Sequence, residues 1–317
     1  MKNCIFTGIF KNKEYIDMFY LFLESIHISG NLNNNTDILV YTSTEFMNII
    51  KENHLYSEKI KFEINDTCNN VDEACKARLD LFDLKSISNY NKILYLDIDI
   101  IIKNDINILF DICKDEILYV LEEGCLQHES TVPDMPGYLI DAHGRQFFTN
   151  QEVNNMKDST AFTSAIMLFK NCDQIKKLFN NIKKHIASAP ATWDFSTWDQ
   201  PYIVYNAFKY KLFNNKFLKP FCSNGGADEE IVRGNKIIHH FCGNPKIVRM
   251  NDFLNTIKIQ KGIKPRVIPL VYSYYKPAGG APEVADFGII GSAGRAKVRQ
   301  RSANHVGTIM KNVIKNS

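Results

Sequence analysis

Short apolar runs alternate with amphipathic stretches along the first hundred residues. Cys4-Ile-Phe-Thr-Gly-Ile-Phe10, Asp37-Ile-Leu-Val-Tyr-Thr42, Lys59 to Ile64 and a run that begins at Ile93 have strand length and composition. Tyr15 to Ile28, roughly 44–53, and Val71 to Ser86 carry helical spacing between them. This alternation predicts an α/β fold, a mixed but mostly parallel central sheet flanked by helices on both faces. In such sheets ligands bind beyond the carboxyl ends of the strands.

The second half is less regular. A short helix is expected over Ile106 to Ile112, with Asp105 and Asp111 capping or flanking it. Ala161 to Phe169 reads as a strand, Cys172 to Ile186 and Trp198 to Lys209 as helices, and Lys236 to Phe241 as a strand closing before Gly243. Residues 122–158, rich in Gly, Pro, His and acidic residues, read as a long loop or lid. From Ala278 the chain becomes Gly/Ala/Ser-rich and basic. The expected organisation is one domain over 1–256 and a basic, partly disordered extension over 257–317.

The apolar run Ile93-Leu-Tyr-Leu96 leads directly into Asp97-Ile98-Asp99. At strand period the two carboxylates point to the same side of the backbone. Burying two like charges there costs several kcal/mol, by order of magnitude, unless a cation lies between them. The pair therefore announces a site for a hard divalent cation, which favours carboxylate oxygen and often shares its shell with substrate phosphates.

A third ligand must come from elsewhere, and His239-His240-Phe-Cys-Gly243-Asn-Pro-Lys246 is the best source. His240 is the candidate ligand, Gly243 lets backbone approach a phosphate, and Lys246 can neutralise it. His239 reads as an ordinary strand-end histidine.

Bulk properties narrow the field without adding chemistry. The 317 residues carry a net charge of +3, but 287–317 hold six Lys/Arg and no Asp/Glu, leaving −3 on residues 1–286. A slightly acidic body with a basic tail gives no case for nucleic acid. The eight cysteines include no C-x-x-C pair, so nothing points to structural zinc. No run approaches the roughly 20 apolar residues of a membrane span, and Cys4 to Phe10 is too short for a signal peptide. A cytoplasmic setting is the expectation, in which the sequons at Asn34 and Asn65 carry no meaning. A homodimer is left open.

Four segments, in order, resemble the glycosyltransferases of family 8, the retaining, nucleotide-sugar-dependent group that includes glycogenin and bacterial lipopolysaccharide galactosyltransferases. Lys76-Ala-Arg78-Leu79 resembles the basic helix ahead of the metal strand. Leu94-Tyr-Leu-Asp97-Ile98-Asp99 resembles the metal strand nearly letter for letter. Trp198-Asp199-Gln200 with Asn206 resembles the Asp-Gln helix start, and His240-x-x-Gly243-x-x-Lys246 matches the His-x-x-Gly-x-x-Lys signature. The match spans about residues 1–250. Phe162-Thr163-Ser164-Ala165 departs from the family's Phe-Asn-Ala/Ser-Gly, and Ile247-Val248 stand where a tryptophan often follows the lysine.

The resemblance implies a GT-A fold and transfer of a hexose, glucose or galactose foremost, from a UDP-sugar to a glycan, protein or lipid with retention of configuration. It implies Mn²⁺ (or Mg²⁺) on Asp97, Asp99 and His240, and diphosphate contacts from Lys246 and the Gly243 amide. Phe6, Thr7 and Tyr15 would face uracil and ribose, with Ile98 and Asp99 lining the donor. Arg78, Asp199 and Gln200 would lie by the sugar and its anomeric carbon; Asp199 could equally cap its helix. Trp193 and Trp198 could stack on an acceptor sugar or pack internally.

Other readings fit less of the chain. A haloacid-dehalogenase-type phosphatase wants Asp-x-Asp at the first strand, with Thr or Val where Ile101 stands. A sugar-nucleotide-forming nucleotidyltransferase wants a glycine-rich phosphate loop, which Thr7-Gly8-Ile9-Phe10 is not. A non-catalytic UDP-sugar-binding scaffold would have no structural need for Asp97, Asp99, His240 and Lys246 together.

Overall fold

The computed structural model describes residues 1–68, 70–125, 151, 159–189, 199–225, 234–243 and 245–265. Most of the expected 122–158 loop, the two tryptophans and the tail from 266 onward lie outside these residues.

The amino-terminal half repeats strand and helix. β1 (Lys2–Ile9) is followed by α1 (Lys13–Ser25), β2 (Thr36–Thr42), α2 (Thr44–Lys51), β3 (Ile60–Ile64) and α3 (Val71–Lys76). The helix starts are built locally. Asn12 accepts the N–H of Glu14, Ser43 that of Phe46, and Asn70 that of Glu73. The expected helix over Val71 to Ser86 is shorter than its periodicity suggests. After Lys76 it tightens into 3₁₀ turns over Ala77–Asp83 and Lys85–Asn89. Ala77, Leu79 and Leu81 are all buried, a spacing of two that an α-helix cannot keep on one face.

β4 (Tyr90–Leu96), β5 (Ile100–Ile102), α4 (Asn107–Ile112) and β6 (Leu118–Cys125) follow. Asp105 flanks α4: it accepts the N–H of Asn107 in a local turn, while the N-cap residue Ile106 makes no side-chain capping bond. Then come β7 (Thr160–Lys170), α5 (Asp173–Ser188), α6 (Gln200–Tyr210), β8 (Phe213–Asn214), β9 (Cys222–Asn224), β10 (Ile238–His240) and α7 (Lys246–Gln260). α7 carries no strong sequence signal. It runs through residue 256 with Ile257 and Lys258 buried, and Lys258 pairs with Glu24 of α1 at 2.7 Å.

The main sheet has the order β3-β2-β1-β4-β7-β6-β8. β3, β2, β1 and β4 are parallel, whereas β7 runs antiparallel to β4 and β6. Alternate residues serve opposite faces. Ile5, Ile9, Leu94 and Leu96 join one core with α1 and α7; Cys4, Phe6, Ile93 and Tyr95 join a second with α5 and α6. Burial on both sides is why these strands read as continuous apolar runs. A small sheet, β5-β10-β9, lies at the end of β4. Among the described residues no helix is long and apolar enough to cross a membrane.

Candidate active site

β4 stops at Leu96, and the chain turns through Asp97, Ile98 and Asp99 before entering β5. The expected single strand is therefore two strands in two sheets. Pairing explains the break. The Asp97 N–H still bonds the Ala165 carbonyl at 2.9 Å beside β7, while the Asp99 carbonyl accepts from Phe241 N–H at 2.8 Å beside β10. A chain passed between sheets must bend, and the two carboxylates flank that bend. The Asp97 side chain is 33% exposed and that of Asp99 only 6%.

β10 delivers the imidazole. His240 pairs with Ile100 of β5 and with Asn224 of β9, and His239 pairs with Ser223. Neighbouring residues of a strand point to opposite faces. His240 thus faces the aspartates, its Nε2 3.3 Å from Asp99 Oδ1. His239 turns into the core, its Nδ1 2.8 Å from Ser223 Oγ and its ring against Phe253. Burial drops the pKa of His239 to about 3, consistent with a core histidine. One ligand atom each from Asp97, Asp99 and His240 lies within 4.8 Å of the other two.

Asp99 is the electrostatic centre. Burial alone would raise its pKa, but His240 and then Lys246 hold it down at about 2. Lys246 opens α7 and donates from Nζ to Asp99 Oδ2 at 2.6 Å. Burial works against the charged forms of His240 and Lys246, yet Asp99 raises both. Tyr95 donates a short hydrogen bond to Asp97, whose other neighbour is Arg78 at 3.4 Å.

Arg78 is fixed on every side. Nε and Nη2 donate to Asp199 at 2.8 and 2.9 Å, Nη1 donates to the Ser164 carbonyl at 2.9 Å, and the guanidinium lies over the Tyr95 ring. Asp199 is fully buried and stands just ahead of α6, but its side chain makes no capping bond. Burial pushes the Asp199 carboxyl upward while Arg78 pulls it back; the bidentate geometry marks the ionised pair.

Gln200 Oε1 accepts from the N–H and Oγ of Ser164 at 3.1 and 3.0 Å. These groups are free because β7 breaks register with β6 here: Val120 opposes Met167, yet Leu121 opposes Thr163. Ser164 thereby gives its backbone to Arg78 and Gln200 instead of the ladder. The departing Phe162–Ala165 segment thus reaches the site through its main chain.

The remaining expected residues divide. Tyr15 lies within the field of Lys246, Asp99 and Asp97. Phe6 is fully buried, its ring packed in the core beside Tyr95. Thr7 is buried with an unpartnered Oγ1, and Ile98 is buried in the core. Gly243 is exposed with φ +79°, a conformation that favours glycine. Asn206 bonds the Tyr202 carbonyl within α6 and His185 of α5, away from the aspartates. A separate hollow of about 320 Å³ is lined by Asn65, Thr67, Glu73, Lys76, Asp80 and Lys183, and shares no residue with this cluster.

Sequence reasoning passed over Tyr95, Ser164, Glu123, Asn224 and Arg249. Arg249 clamps the turn around Gly243, donating to the carbonyls of Cys242 (2.8 Å) and Gly225 (2.7 Å). Glu122-Glu123 after the apolar Leu118–Leu121 was the one available signal. It repeats the pattern of acids following a buried strand.

Two carboxylates and an imidazole nitrogen suit Mn²⁺ or Mg²⁺, and the residues present fit such an ion. The ion pair of Lys246 with Asp99 supplies a positive charge in the same place.

No protein-family model matches the chain, and no curated protein matches it. Solved structures do. The bifunctional glycosyltransferase WbbM superposes with a TM-score of 0.54 at 14% identity over 83% of this chain. The galactosyltransferase LgtC, bound to donor and acceptor sugar analogues, gives 0.53 at 15% identity over 81% of this chain and 95% of its own. Mouse xyloside xylosyltransferase 1 gives 0.50 at 12% identity over 78% of this chain and 99% of its own. The chain has the GT-A glycosyltransferase fold. It spans about half the length of WbbM, 52%, and nearly all of the other two. In GT-A terms, Asp97 and Asp99 occupy the turn where the main sheet hands the chain to the small one.

Proposed function

We propose that this chain is a metal-dependent family 8-type glycosyltransferase that moves a hexose, glucose or galactose foremost, from a UDP-sugar to a glycan, protein or lipid acceptor with retention. The observation that carries the reading is the convergence of Asp97, Asp99 and His240 with Lys246 at the carboxyl end of a GT-A sheet.

Asp97, Asp99 and His240 would hold the divalent cation, which when bound offsets charge on the donor's two phosphates. Lys246, released from Asp99, would turn its ammonium to the same phosphates, joined by the Gly243 amide. Tyr15 and the backbone of Phe6 and Thr7 would border the nucleoside. Arg78, positioned by Asp199, would reach the donor sugar, with Gln200 beside it. The sugar C1–O bond to phosphate breaks, the acceptor oxygen bonds C1 on the same face, and the acceptor proton passes to the leaving phosphate oxygen. No protein base is needed on that route.

Calorimetric titration with UDP in Mn²⁺ and again in EDTA tests the reading. Binding is expected only with Mn²⁺; equal affinity in both would refute the metal assignment. A screen of UDP-glucose, UDP-galactose, UDP-xylose and GDP-mannose for metal-stimulated hydrolysis identifies the donor. An inverted product by NMR would reject retention.

A further inference from the structure

A hydrogen-bonded chain runs behind the metal-site histidine. His240 Nδ1 lies 2.6 Å from Asn224 Oδ1, Asn224 Nδ2 donates to Glu123 Oε1 at 2.7 Å, and Gln200 Nε2 reaches Glu123 Oε2 at 3.4 Å. We propose that Glu123 and Asn224 are positioning residues that lock His240 in the Nδ1–H tautomer. The lone pair of Nε2 is then aimed at the cation between Asp97 and Asp99. The proposal rests on the metal reading above and adds the residues that prepare its nitrogen ligand.

The direction of the chain follows from what each group can do. A carboxylate only accepts, so Asn224 must turn its amide N–H₂ toward Glu123. Its carbonyl oxygen then faces His240 Nδ1, which must carry a hydrogen to bond it. In a neutral imidazole the other nitrogen, Nε2, is left with its lone pair, the form a metal needs. Two features of the fold set this up. Asn224 and His240 are direct partners in the parallel β9–β10 ladder, so their side chains rise from the same face. Glu123 sits in a bulge of β6: Glu122 opposes Phe162 but Cys125 opposes Thr160, leaving one extra residue between them. Such a bulge re-aims a side chain, here toward Asn224. Gln200 closes the chain at the far end and also holds Ser164. The ligand histidine is thereby tied to the segment that carries Arg78's carbonyl partner.

Nitrogen-15 spectra of metal-free protein with labelled histidine, taken in alkaline buffer where the imidazole is neutral, read the tautomer directly. His240 is expected as Nδ1–H in the parent chain and as a mixture, or as Nε2–H, in Asn224→Leu. Mn²⁺ affinity, measured by electron paramagnetic resonance of the free ion, is expected to fall about 10- to 100-fold in Asn224→Leu and in Glu123→Leu. Glu123→Gln, whose amide oxygen still accepts from Asn224, is expected to lose less. An unchanged His240 tautomer in Asn224→Leu overturns the proposal. So does an Mn²⁺ affinity that is unchanged in Asn224→Leu and Glu123→Leu when the parent chain binds the ion. If the parent chain binds no Mn²⁺, the metal reading falls, while the nitrogen spectra still decide whether Asn224 and Glu123 set the tautomer.

Discussion

Removing the anion from the Arg78–Asp199 pair is the sharpest test of the site's internal construction. The side chains are 10% and 0% exposed, and both hydrogen bonds between them are under 3 Å. Breaking such a buried pair by deleting one partner costs about 3–5 kcal/mol, because the remaining charge is stranded. Arg78 would keep Asp97, the Ser164 carbonyl and the Tyr95 ring, which places Asp199→Leu toward the lower end. For a domain of this size each kcal/mol corresponds to about 2–4 °C in Tm, so a fall of about 6–12 °C is expected. The double variant Arg78→Met with Asp199→Leu removes both charges and should regain most of that loss, since apolar replacements of a buried pair are often neutral. Urea unfolding of all four proteins gives the coupling energy from the cycle. Asp199→Leu at parental stability, or a double variant as unstable as the sum of the singles, would refute this account. The same double variant, though folded, should lack transfer activity.

Other expectations concern separate groups. Asp99→Asn should abolish Mn²⁺-dependent UDP binding while keeping the parental circular dichroism; unchanged binding would show that the cation does not sit on Asp99. Lys246→Ala should lower kcat about 10²- to 10³-fold if the ammonium stabilises charge that develops as the donor breaks, and an effect on KM alone would place it in ground-state binding. His239 has a folded pKa of about 3 against 6.5 when free, so the unfolded chain binds the extra proton between those values. Stability should therefore fall as pH drops through 6.5, by up to about 1.4 kcal/mol per pH unit. The fall should stop near 3, and His239→Gln should flatten the slope in urea titrations. Thiol reagents should reach exposed Cys242 in the folded protein, slowed because burial raises its thiol pKa too, whereas Cys4 and Cys222, buried and with thiol pKa values pushed up by burial, should react only on unfolding.

How much of this was legible in the residues varies with the range of the interaction. The parallel half of the sheet followed from local periodicity, because strands buried on both faces must be short and apolar. The metal-site candidates followed from residue type, because two acids after a buried strand need a cation. Gly243 and Lys246 followed from the chemistry of a phosphate neighbour, Arg78 and Gln200 came through resemblance, and the structure gathers Arg78 and Lys246 onto Asp97 and Asp99. Phe6 also came through resemblance, and the structure places its ring in the core beside Tyr95.

What only tertiary structure decided is pairing between distant segments. Whether residues 93–102 form one strand or two depends on Ala165 and Phe241, which no local pattern links to them. Asp199 as anchor of Arg78 rather than helix cap depends on a partner 121 residues away. The Glu123–Asn224–His240 chain needs a bulge in one strand and register in two others. Sequence fixes side-chain chemistry and short-range backbone preference, since both act within a few residues. The direction in which a carboxylate or imidazole is aimed is set by hydrogen-bond partners that meet only when the sheets have formed.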